Sequence, residues 1–167
     1  MTTMATAIPD PELDLVLERT VDVAPELVWR AWTEPELLVQ WFTPAPWSTV
    51  SVELDLRPGG AFTSVMRSPE GEEFPNPGCV LHVEQGRRLV FTSGLGPGFR
   101  PAPAAPAEEG GFPFTAIVDI APDGDGTRYT ATALHADPGA RKTHEGMGFH
   151  EGWGAALDQL VALAKTL

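Results

Sequence analysis

Three of the four histidines, His135, His144 and His150, fall between residues 135 and 150, while His82 lies far upstream. Imidazole is the side chain whose charge changes near neutral pH, so such a group suggests proton transfer, ligand orientation or metal binding. Metal binding is the poorest fit. His144 and His150 are six apart, which does not put them on one helix face, and the chain has no HExxH and no paired cysteines. No metal and no cofactor is therefore expected. No Ser-His-Asp, Cys-His or phosphate-loop arrangement can be assembled either, and Gly59-Gly60 and Gly110-Gly111 read as turns. The single tyrosine, Tyr129, is a further candidate for proton transfer. Alternation along residues 50–56 sends Glu53 to the solvated face, and Arg67 and Glu84 read as charges at strand ends.

The elements that would position these groups follow from hydrophobic spacing. Residues 13–23 alternate as a half-buried strand. Pro25 and Pro35 each open a short helix, together a helical elbow ended by Pro44 and Pro46. Six strands are expected next, over 50–56, 61–67, 78–84, 88–93, 112–121 and 127–135, most of them joined by tight turns. Between Gly94 and Gly111 the proline- and glycine-rich run predicts an exposed loop. Asp137 is placed to cap a helix beginning at Pro138. After a break at Gly146-Met147-Gly148, one stripe, Phe149, Trp153, Ala156, Leu157, Leu160, Leu163 and Ala164, predicts a main helix of roughly 27 Å. Glycines at 146, 148, 152 and 154 crowd its leading end, which predicts a close backbone approach or space left for another molecule. The expected class is α+β, an antiparallel sheet with its apolar face covered by that helix.

At 167 residues and 17.9 kDa the chain has the size of one domain, expected over 12–167 behind a flexible tail over 1–11. A net charge of -12 argues against nucleic-acid binding and against anionic membrane surfaces. No apolar run approaches the ~20 residues of a membrane span, and no signal peptide is visible. With one cysteine, Cys79, the chain suits a reducing cytoplasm.

Several stretches, taken in order, resemble a known family: residues 23–33 (VAPELVWRAWT), 37–42 (LLVQWF), 56–60 (LRPGG), 88–92 (RLVFT) and 144–153 (HEGMGFHEGW). The chain resembles the START-like (SRPBCC) superfamily with the helix-grip fold, and within it single-domain homologues of the heat-shock protein 90 ATPase activator family. That resemblance implies a curved seven-stranded antiparallel sheet gripping the C-terminal helix, with two short helices after the first strand and a cavity between sheet and helix. In the superfamily such cavities commonly receive an apolar or amphipathic small molecule.

Apolar walls with a few polar groups are what such a cavity requires. The candidate lining is Trp32, Trp41, Trp47, Phe62, Val65, Phe91, Phe114, Tyr129, His135, Met147, His150 and Trp153, with His144 beside the kink. The leading functional expectation is binding of a small hydrophobic molecule. A cyclase- or hydratase-type enzyme on a polyketide-like substrate, and a chaperone co-factor or protein-interaction module, are the alternatives. Relatives of this kind often associate, so a homodimer is a candidate assembly.

Overall fold

A computed structural model describes residues 8–103 and 112–167. Residues 1–7 of the expected tail and 104–111 of the expected loop lie outside them. In chain order the elements are β1 (Asp14–Val21), α1 (Pro25–Thr33), α2 (Pro35–Trp41), β2 (Ser48–Leu54), β3 (Phe62–Arg67), β4 (Glu73–Asn76), β5 (Cys79–Glu84), β6 (Arg88–Thr92), β7 (Leu95–Gly96) and β8 (Arg100–Pro101). Then follow β9 (Thr115–Asp123), β10 (Gly126–Leu134), α3 (Pro138–Gly146) and α4 (Phe149–Ala164). The α+β class and the helical elbow are as expected. Three short strands are not: β4 follows the turn at Gly71, and β7 and β8 form a small hairpin inside the expected loop.

Seven strands were expected in one sheet. Instead the order is β1-β10-β9-β6-β5 in a five-stranded sheet and β2-β3-β4 in a three-stranded one, all antiparallel. A single bridge between Ala61 and Cys79 joins them, with Phe62 N donating to Gly78 O at 3.0 Å. Gly78 is needed at this joint, since a Cβ there would lie 2.6 Å from Phe62 O. Beside that bridge Val80 N donates to Gly60 O and Gly59 N to Val80 O, and among the described residues no strand of one sheet pairs with a strand of the other. A bulge at residues 80–82 of β5 shifts the alternation, so Val80 and Val83 both meet the core while His82 and Glu84 share the opposite face. Simple alternation could not have assigned those faces.

The core is the inner face of the five-stranded sheet, covered by α1, α2 and α4. Cross-strand rows run Leu15–Ala133–Ala116–Phe91 and Leu17–Ala131–Val118–Leu89. Against them pack Ala156, Leu157, Leu160 and Ala164 of α4. Two polar clamps hold α4 in place. Arg19 on β1 donates from Nη1 to Gly154 O (3.1 Å) and from Nη2 to Asp158 Oδ1 (2.6 Å). Gln159 Nε2 donates to Trp41 O and Thr43 O, each at 2.9 Å, while its Oε1 accepts from Ala45 N. These bonds satisfy carbonyls left over where α2 ends.

The crowded glycines divide in role. Gly148 has φ +90°, the left-handed turn that redirects the chain from α3 into α4. At Gly152 a Cβ would meet nothing within 4 Å, so no backbone approach explains it. Gly152→Ala is therefore expected to stabilise the fold by about 0.5–1 kcal/mol, read by urea unfolding at pH 8. A destabilised variant would show that the space beside α4 is needed.

Candidate functional site

The chemistry-bearing residues converge where β10 runs into α3. Beyond the last β10 pair, His135 N donates to Leu13 O at 3.1 Å, and His135 Nδ1 donates to the same carbonyl at 2.7 Å. The ring is thereby fixed over the end of β1. Asp137 then caps α3, its carboxylate accepting from Ala140 N at 2.8 Å, and α3 carries His144 back over His135. His135 Nε2 and His144 Nδ1 are 2.8 Å apart. Both rings are buried, at 7% and 8% exposure.

Aromatic rings enclose the pair. Ring centroids of Phe114, Phe112 and Phe149 lie 4.9, 5.1 and 5.2 Å from that of His144. Trp153 stands 5.1 Å from Phe149 and 6.3 Å from Phe114, closing the group from α4. Burial, aided by the neighbouring His135, lowers the His144 pKa from 6.5 to about 4, so its ring is uncharged at neutral pH. One helical turn earlier, Arg141 pairs with Glu145 (3.0 Å), and its Nε is buried with no hydrogen-bond partner among the described residues.

An open cavity of about 320 Å³ adjoins this group, lined by Thr92, Pro113, Phe114, Thr115, Leu134 and His135 among others. A second, larger groove of about 640 Å³ runs between α1 and the β5–β6 turn, past Trp29, Arg30, Arg87, Ile120 and Pro122. Among the described residues no group of three or more His, Cys, Asp or Glu could hold a metal ion, and no helix is long and apolar enough to cross a membrane.

The sequence candidates separate into three sets. Phe114, His135 and Trp153 meet at the site with His144. Trp32, Trp41, Phe62, Phe91 and Tyr129 lie in the main core instead, where they pack on one another: Phe62 and Phe91 stack at 4.0 Å, and Trp32 meets Trp41 at 4.9 Å. Trp32 Nε1 donates to Tyr129 Oη at 3.2 Å, and burial holds the Tyr129 pKa well above the usual phenol range. Rings fill the space between sheet and elbow.

Trp47, Val65, Met147 and His150 belong to neither group. Trp47 sits at the surface against Phe74, 5.6 Å between rings. Val65 alternates away from the core-facing Phe62, because 62 and 64 share a face. Met147 is 66% exposed at the kink, and the exposed His150 donates from Nε2 to Val16 O at 3.2 Å. Phe112 was missed, although its i+2 spacing to Phe114 was a readable sign of two rings on one side of an extended segment.

Residues 22–165 match the model of the Activator of Hsp90 ATPase homolog 1-like protein family. The chain belongs to that family. A protein of known structure from Nitrosomonas europaea is 51% identical, with a TM-score of 0.88 over 95% of this chain and 97% of its own. One from Mycobacterium smegmatis is 26% identical, with a TM-score of 0.72 over 91% and 90%. A third, from Arthrobacter aurescens, shares the fold at 21% identity and a TM-score of 0.77, over 99% and 94%. No curated protein matches. The family membership and the helix-grip architecture read from the sequence are both shown.

Because folding lowers the His144 pKa, the unfolded chain takes up the proton first as pH falls. The stabilisation from the neutral ring is therefore complete above about pH 6.5 and is lost towards pH 4, a change of up to about 3 kcal/mol. In urea unfolding from pH 7 to pH 4.5, His144→Phe should lose measurably less stability than the wild type. Equal losses would mean that this ring is readily protonated in the fold.

Proposed function

We propose that this protein binds a small hydrophobic or amphipathic molecule beside the histidine pair, where the ends of β6, β9 and β10 meet. One observation carries the reading: a cavity of about 320 Å³ shares Phe114 and His135 with a buried histidine pair inside an aromatic enclosure. Ligand sites characteristically combine apolar walls with a few placed polar groups, at volumes from ~300 Å³ upward. Interior polar groups need partners, and a chain whose core is otherwise filled with aliphatic and aromatic side chains has little structural use for two edge-on imidazoles there. The lone cysteine, Cys79, is free and fully buried, in keeping with a cytoplasmic setting.

A cyclase- or hydratase-type activity is the second reading, favoured by the 2.8 Å contact between two titratable rings. The lowered basicity of His144 suits holding a proton donor better than removing a proton from carbon, so binding ranks first.

Leu134→Trp narrows the cavity from its β10 side. With the neutral solvatochromic dye Nile red as probe, the variant is expected to bind at least fivefold more weakly than the wild type, with no change in urea midpoint beyond a few tenths molar. Unchanged dye affinity, or no binding by the wild type, would overturn this placement. Native mass spectrometry of the purified protein reads a co-purified small molecule and the subunit number together.

A further inference from the structure

The larger groove, about 640 Å³ between α1 and the β5–β6 turn, shares no lining residue with the cavity beside the histidines. Its floor is apolar. Trp29 and Ile120 are 5% and 4% exposed, and both belong to the main core. Pro25, which opens α1, and Pro122, near the end of β9, add two rigid rings to the wall. Side chains this constrained have little conformational freedom left to lose when a ligand settles on them.

Three charged side chains also line the groove, and the fold already accommodates two of them. Arg30 donates from Nε to Glu34 Oε2 at 2.7 Å. Glu26 falls in the first turn of α1, where the helix amides favour an anion. Arg87 differs: it is exposed, and among the described residues its guanidinium has no hydrogen bond or ion pair. Its main chain is held on both sides, with N donating to Glu84 O at 2.9 Å and O accepting from Ile120 N at 2.8 Å. The base of this side chain is thus tied to the sheet, while its planar fork is left to another molecule. Acidic side chains outnumber basic ones 23 to 11 in this chain, yet none among the described residues pairs with Arg87.

We infer that this groove is a second binding site, for a small apolar carboxylic acid whose body lies on Trp29 and Ile120 and whose carboxylate pairs with Arg87. A guanidinium presents parallel N–H donors that match the two oxygens of a carboxylate, which fixes the orientation of the bound acid. The inference goes beyond the binding reading above and uses none of its residues.

2-Naphthoate and its uncharged isostere 2-naphthamide test it, titrated at low ionic strength and pH 8, where carboxylates are ionised. 2-Naphthoate is expected to bind about fivefold more tightly, the scale of one ion pair at a solvent-facing rim. Added salt should narrow the gap. Arg87→Gln should abolish the preference and leave the urea midpoint unchanged, since the main-chain bonds of the turn remain. In the wild type, 2-naphthoate should shift the indole ¹H–¹⁵N resonance of Trp29, and Leu134→Trp should leave its affinity as it is. Equal affinities for the two probes, no binding of 2-naphthoate, or a preference that survives Arg87→Gln would each overturn the inference. So would an acid that leaves the Trp29 resonance in place and is weakened by Leu134→Trp, since it would then sit beside the histidines. Nile red and Leu134→Trp decide the first site separately, so either site can fall without the other.

Discussion

Three alanines on the inner face of the sheet, Ala116, Ala131 and Ala133, set the terms for the rest of this structure. Each is fully buried and sits mid-sheet in register with its neighbours, Ala133 beside Ala116 and Ala131 beside Val118. A methyl group is all that fits where a helix must lie near two adjacent strands. The bulky side chains are consequently displaced to either end. Trp32, Trp41, Phe62, Phe91 and Tyr129 gather under the helical elbow, while Phe114, Phe149 and Trp153 gather near the start of α4. The first group satisfies itself, since its indole N–H groups find Tyr129 Oη and Ala31 O. The second group encloses the hydrogen-bonded imidazoles of His135 and His144.

Much of this was legible in the residues. Proline at the first helical positions, the Asp137 cap and the heptad-like stripe of α4 locate the helices because each is a local signal. Family motifs supplied the architecture. The gathering of histidines between 135 and 150 also pointed to the end of the molecule where His135 and His144 meet. What stayed hidden depends on distant register. The contact between His135 and His144 exists because α3 turns back over β10, and the anchoring of His135 needs Leu13, over a hundred positions earlier in the chain. Likewise the bulge in β5 breaks the period on which face assignment relies. Trp47 and Met147 were misplaced for a simpler reason: residue type favours burial on average, yet both lie in connections between elements, before β2 and at the α3–α4 kink, and reach the surface.

The helix-grip architecture is shared with structures that have little sequence in common with this chain, among them one at 21% identity. Fold alone does not assign chemistry. Here the proposed site rests on two hydrogen-bonded imidazoles, the aromatic surfaces around them and the adjoining cavity, features that belong to particular side chains. Arg19 and Gln159 belong to the scaffold instead, since they fasten α4 to β1 and to the elbow at points remote from the histidines.

The alanine band between the two aromatic groups has an evolutionary consequence. Most of the buried side chains belong to the elbow-side cluster, so the opposite end is free to drift: exchanging a phenylalanine or a histidine there alters its surface chemistry while the larger mass of contacts keeps the chain folded. A lineage built on this plan can vary the chemistry of that end while retaining one chassis.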